Sequence, residues 1–360
     1  MKNVKFEFDF DDILIVPSVN THITSRYGDV ELTKPLPLFT APMDTVVNLE
    51  NFRDFLNNGI RVTLPRTIKY EQFLAREIVD GSQSDNGVFV SMGFQDLDRY
   101  YRNNFKDFHS GAHILIDVAN GHMQKIVDYC REMKRLRPDI VLMVGNIANP
   151  KTYEWYAKNN CVDYIRVGIG NGNGCLTTKQ SGIGYPMASL IAEISMIKHK
   201  LRLEKIKNNE SVKLPAIVAD GGMKDYSDII KSLALGADYV MIGSIFNKMF
   251  ESSSEMYLYN VKLNRKLAKY FFDWGYSVKK YFRGMSTKEA QKAMGKTSFK
   301  TSEGVTRIRR VEYHLDGWVE NFEHYLRNAM SYTNAKTLDK FIGKVEICQI
   351  SKNAYDRFNK

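Results

Sequence analysis

Eight short apolar runs, each followed by a stretch of helical character, constrain this chain more than any other feature. They fall at residues 38–43, 61–65, 88–92, 113–118, 141–146, 164–169, 216–220 and 239–243. Nearly continuous apolar runs of this length suit parallel strands buried on both faces. Candidate helices lie between them. Residues 123–136 would set Ile126, Val127 and Cys130 on one face, and another helix opens at Asn149-Pro150, where Asn can cap and Pro suits the first helical position. Eight strands alternating with helices predict an α/β fold, a (β/α)8 TIM barrel, as a single domain over residues 1–360.

The unusual residues gather at the predicted carboxyl ends of these strands. Residues 41–44 (APMD), 117–121 (DVANG), 145–146 (GN), 168–175 (GIGNGNGC), 220–222 (DGG) and 243–244 (GS) all fall there. One glycine turn of this kind would mean only a tight connection. Several on one face of a barrel predict a site. After Glu255 the pattern changes to a Tyr/Lys-rich stretch up to Lys280, then FRGMS at 282–286 and a polar span at 287–316. That span reads as a mobile flap over the barrel mouth or as plain disorder, the flap being favoured. A helix-like segment follows at 318–330.

Charge and cysteine usage narrow the function. The 51 Lys+Arg against 41 Asp+Glu leave a net charge of +10. The basic runs, such as Lys279-Lys280 and Arg307 to Arg310, are short and mixed with apolar residues, so they read as solvated surface rather than a nucleic-acid arm. Cys130, Cys161, Cys175 and Cys348 form no CxxC pair, which suggests reduced thiols and a cytoplasmic protein. The first residues turn acidic where a signal peptide would be apolar, and no apolar run reaches the roughly 18 residues of a membrane span. Neither nucleic acid nor membrane is expected as a partner.

The most informative stretch is 167–186, VGIGNGNGCLTTKQSGIGYP. Its alternating glycines free the backbone for left-handed turns, and such loops can cradle a phosphate or ring a cation. Cys175 closes the loop among backbone dipoles, a setting that favours a nucleophilic thiolate over a buried structural cysteine. Thr177 can hydrogen-bond a group attacked there.

This loop resembles the Gly-x-Gly-x-Gly-x-x-Cys-x-Thr signature of the IMP dehydrogenase/GMP reductase family. FDDILIVP (10–17), SRYGDVEL (25–32), APMDTV (41–46) and the run 218–244 are similar to other parts of the same family. The DVANG, KQSGIGYP, GMS and SEG runs resemble its reductase branch. The dehydrogenases usually carry inserted CBS domains, and the resemblance implies a barrel without them. The reductase branch converts GMP to IMP and ammonia with NADPH.

By this resemblance Cys175, Thr177 and Glu303 are catalytic. Asp220, Gly221, Gly222, Met241, Gly243, Ser244, Gly284, Met285, Ser286 and Lys300 would hold the purine nucleotide monophosphate. Ser25, Arg26, Asp117, Val118, Ala119, Asn120, Ser331 and Tyr332 would face NADPH, the last two across a subunit boundary in a homotetramer. Carbonyls of Gly168, Gly170 and Cys175 would ring a potassium ion. The chain also departs from the family. Asn171-Gly172-Asn173 replaces the usual Pro-Gly-Ser, Lys300 stands where an Arg is usual, and Arg283 is dehydrogenase-like. Extra residues fall near 201–214, 257–280 and 306–313. The alternatives left open are an IMP dehydrogenase, a relative acting on another 2-aminopurine nucleotide, or a non-catalytic or nucleic-acid-binding relative that keeps the barrel; intact Cys175, Thr177 and Glu303 argue against the last.

Overall fold

The computed structural model describes residues 5–79, 87–172, 174–294 and 304–358. Among them, eight parallel strands form one sheet: β1 (Leu38–Thr40), β2 (Thr63–Leu64), β3 (Phe89–Met92), β4 (His113–Asp117), β5 (Val141–Ile147), β6 (Tyr164–Val167), β7 (Ala216–Asp220) and β8 (Tyr239–Ile242). Their order is β1-β8-β7-β6-β5-β4-β3-β2. The free edges of β1 and β2 meet through a parallel bridge between Phe39 and Arg61. There the Arg61 N–H donates to the Leu38 carbonyl at 3.0 Å, and the Thr40 N–H donates to the Arg61 carbonyl at 2.9 Å. The result is the expected (β/α)8 TIM barrel, with a strand at every predicted run. Several strands are shorter than their apolar runs; β1 stops before Pro42, which has no N–H to give to a neighbour.

Side-chain alternation sorts each strand between two cores. Leu38, Val90, Ile114, Ile116, Leu142, Val144, Ile217 and Val240 point outward under the helices. Phe39, Phe89, Leu115, Met143, Val218 and Met241 fill the barrel interior. This explains the continuous apolar runs: both faces are covered. The helix predicted at 123–136 is Gln124–Leu136, burying Ile126, Val127, Cys130 and Met133. Asn149 caps Pro150–Asn159 by accepting from the Lys151 N–H. The helix expected at 318–330 is longer, Leu315–Tyr332. Among the described residues no helix is long and apolar enough to cross a membrane.

The last third departs from the sequence reading. β9 (Met256–Leu258), β10 (Val261–Leu263), β11 (Lys279–Arg283) and β12 (Thr306–Arg310) form an antiparallel sheet in the order β10-β9-β11-β12. Together with the helix Arg265–Asp273 it builds a small core from Phe250, Met256, Ala268, Val278 and Val311. The span 287–316 is therefore not one uninterrupted polar flap: it holds the helix Lys288–Ala293 and strand β12. The reason is pairing. β12 is too basic to read as a strand alone, yet five of its residues pair in register with β11, from Lys279↔Arg310 to Arg283↔Thr306. Near the chain ends, Ile13–Ile15 and Ile347–Gln349 pair as a two-stranded antiparallel ribbon.

Candidate active site

Alternation inside the barrel creates the site. Two residues beyond Leu115, Tyr164 and Val218, the interior positions become Asp117, Arg166 and Asp220, a polar layer above the apolar plug. Arg166 spans it, donating to Asp117 Oδ1 and to Asp220 Oδ2, each at 2.7 Å. Burial works against its charge, but Asp220 and Asp117 outweigh that and raise its pKa. Asn146 adds a second donor to Asp220 Oδ2 at 2.7 Å and a bond to the Gly168 carbonyl at 2.9 Å. To reach Asp117, Arg166 must cross β5. Gly145 makes that crossing possible, since a Cβ there would lie 2.4 Å from the Cβ of Arg166.

A cavity opens over this layer at the carboxyl ends of the strands. Asp117, Arg166 and Asp220 border its floor, and Gly221 and Gly222 continue from β7. Met241, Gly243 and Ser244 border it from β8, and Ala41 to Met43 from β1. Gly172, Gly174 and Cys175 close one side, while Phe282 and Gly284 to Ser286, from the end of β11, close another. Every substrate-binding residue expected from the sequence borders this cavity except Lys300, which lies outside the described residues, as do Glu303 and Asn173.

The cysteine loop is held by backbone. Gly170 has φ +83°, and a Cβ there would meet the Thr178 hydroxyl at 1.7 Å. Further on, Cys175 bridges Gly304, and the Val305 N–H donates to the Gly174 carbonyl at 3.2 Å. Gly284 packs against both; its Cβ would lie 2.4 Å from the Gly174 carbonyl. Three glycines in contact thus join the loop, the end of β11 and the chain that follows Glu303. Cys175 is partly exposed, with Sγ 3.1 Å from the Thr177 hydroxyl. That hydroxyl can donate to a thiolate or to a group bound beside it.

The expected cofactor residues divide. Asp117 borders the cavity, and Val118, Ala119 and Asn120 lead from it to the surface, with Ala119 and Asn120 exposed. Ser25, Arg26, Ser331 and Tyr332 do not border the cavity. They belong to a separate cluster in which residues 18–28 dock on the Leu315–Tyr332 helix: Arg26 donates to Asn328 at 3.1 Å, and the Thr21 hydroxyl donates to the Ser331 carbonyl at 3.0 Å.

Three features of the site were not anticipated. Arg166 has a sequence signal, a charge inside an otherwise apolar strand run. Arg283 pairs with Asp44, and Arg309 donates to the Ser244 hydroxyl at 2.6 Å; both depend on the antiparallel sheet that the sequence did not reveal.

Comparison with known proteins agrees with this geometry. A family model described as "IMP dehydrogenase / GMP reductase domain" matches residues 108–357. A GMP reductase of Caenorhabditis elegans is 26% identical over 367 aligned residues, covering 98% of this chain and 94% of its own. Human GMP reductase 2 is 26% identical over 365, covering 96% of this chain and 92% of its own. A GMP reductase of Shewanella pealeana is 24% identical, covering 98% and 97%. With the barrel, the cysteine loop and the polar layer all in place, the chain belongs to the IMP dehydrogenase/GMP reductase family.

Proposed function

We propose that this protein is an NADPH-dependent GMP reductase, an oxidoreductase that converts GMP to IMP and ammonia. The observation that carries the reading is Cys175, with its sulfur 3.1 Å from the Thr177 hydroxyl, on the wall of a cavity that ends in Gly222, Gly243 and Ser244. A nucleotide whose phosphate takes the backbone N–H groups of those three residues would lay its base toward Cys175. The Cys175 thiolate adds to C2 of the purine, because a soft thiolate both adds to an electron-poor ring and leaves it readily. Thr177, with Glu303, directs a proton to the 2-amino group, which departs as ammonia. When bound, NADPH supplies the hydride that C2 gains, and expulsion of Cys175 then releases IMP. Asp220 accepts from the ribose hydroxyls while Arg166 and Asn146 hold its carboxylate in place.

Asp117 to Asn120 are the residues of this cavity offered to NADPH. Ser25 and Arg26 face NADPH in the same reading, and Ser331 and Tyr332 serve a neighbouring copy in a cytoplasmic homotetramer, a role supported by their place off their own chain's cavity. A potassium ion held by carbonyls of Gly168, Gly170 and Cys175 belongs to the same reading. The Gly168 carbonyl already accepts from Asn146, but a carbonyl has a second lone pair to offer.

The test is NADPH absorbance with GMP, beside Cys175→Ala and a parallel assay of IMP with NAD+. GMP-dependent loss of NADPH that vanishes in Cys175→Ala is the expected result. NADH formation from IMP would place the protein among the dehydrogenases. Silence in both would direct the search to other 2-aminopurine nucleotides.

A further inference from the structure

The proposed reading places a phosphate dianion at the Ser244 end of the cavity, and among the described residues few cations there can meet it. Arg166 is taken by Asp117 and Asp220, and Arg283 by Asp44. Arg309 is different. Its Nη1 donates to the Ser244 hydroxyl at 2.6 Å, and its guanidinium carbon sits 4.2 Å from the centroid of the Phe282 ring. Ser244 and Phe282 both border the cavity. No carboxylate among the described residues forms an ion pair with Arg309.

The register explains how it arrives there. Arg309 pairs with Lys280 and Arg307 with Phe282, so alternation sends both arginines to the face of the sheet that holds Phe282. Ile308, between them, is exposed on the other face. Burial, and then repulsion from Arg307, hold the Arg309 pKa below its ordinary value. Its charge is thus incompletely compensated within the chain, a state that an anion would relieve.

We infer that Arg309 is a specificity-determining residue that grips the 5′-phosphate of the nucleotide at the Ser244 end of the cavity. A guanidinium carries five N–H donors in a planar fork. The bonds from Nη1 to the Ser244 hydroxyl and carbonyl and the stack on Phe282 fix that plane, and the donors of Nη2 and Nε match two phosphate oxygens. Arg309 lies in the extra residues near 306–313, so the sheet added to the barrel supplies a ligand to the barrel's site. The inference rests on the proposed placement of the phosphate, and its test does not depend on turnover.

The experiment measures protection of Cys175 from iodoacetamide by GMP, ribose 5-phosphate and guanosine, in wild type, Arg309→Gln and Arg309→Lys. Arg309→Gln is expected to weaken both phosphorylated ligands by about ten- to hundredfold, the range for a charged hydrogen bond, and to leave guanosine unchanged. Arg309→Lys keeps the charge without the fork and is expected to fall between the two; it also decides the matter should Arg309→Gln not fold. The inference is overturned if either folded variant holds GMP as wild type does, or if guanosine weakens in parallel. Should GMP fail to drive NADPH oxidation while Arg309→Gln still loses ribose 5-phosphate, the reductase reading falls and this one stands.

Discussion

Arg166 is the residue on which the polar layer depends. It is 5% exposed, and its two partners are carboxylates that would otherwise face each other across the barrel. Removing one partner of a buried ionic group leaves uncompensated charge, at about 3–5 kcal/mol. We expect Arg166→Met to lower the urea unfolding free energy by about that much; an unchanged midpoint would show that the layer is not held by charge. Gly145→Ala should act in the same direction without touching a charge, because its methyl would occupy the path of Arg166. A Gly145→Ala protein as stable as wild type would mean that Arg166 has another route to Asp117. The charge at 166 was visible in the sequence as an oddity. Its partners were not, because they come from β4 and β7, which only the strand order and register of the sheet place on either side of β6.

At the scale of elements, β11 leads into a wall of the site that is not barrel, at Phe282 and Gly284 to Ser286. Lys280 on this strand is fully buried, and its ammonium donates to the carbonyls of Met249 and Phe250 and to Ser252, at 2.6–3.2 Å. These contacts tie β11 to the loop that follows β8. Lys280→Met leaves those acceptors unpaired, a loss of about 1–3 kcal/mol, and should also weaken nucleotide binding, because the strand runs into Gly284, Met285 and Ser286. Thermal unfolding and GMP titration of the same variant check both halves; a stability loss with unchanged GMP affinity would separate β11 from the site. A smaller effect is expected from Asn149→Ala, about 1 kcal/mol for a lost helix cap, with catalysis intact. The cap was legible because its bond is local, from Asn149 to the N–H two residues on. The pairing of β11 with β12 was not, because a strand of sequence TRIRR has no apolar alternation to announce it.

Across the whole molecule, His314 joins the added sheet to the barrel. Nδ1 meets Glu251 at 2.9 Å and Nε2 meets Asp273 at 3.0 Å, with the imidazole packed against the rings of Phe250 and Phe272. Burial lowers its pKa, but hydrogen bonds and charge from Glu251 and Asp273 prevail and raise it above the ordinary 6.5. A folded-state pKa above the unfolded one means the protonated latch stabilises the fold fully below the unfolded value, and that this contribution is lost as pH rises through the folded value. The thermal midpoint of wild type should therefore exceed that of His314→Gln most near about pH 6, with the gap narrowing toward about pH 9. A gap that does not vary with pH would rule out a charged latch.

The sequence by itself determined the barrel, the end of it that bears the site, and the cysteine loop. Those follow from local patterns: apolar runs of strand length, glycines at their ends, a cap beside a proline. Tertiary structure alone decided which charges meet. Arg166 finds two aspartates from non-adjacent parts of the chain, and Arg309 reaches Ser244 from a strand defined only by its partner. Such pairings depend on strand order and register, which bring together residues tens or hundreds of positions apart, and no window of sequence contains both members.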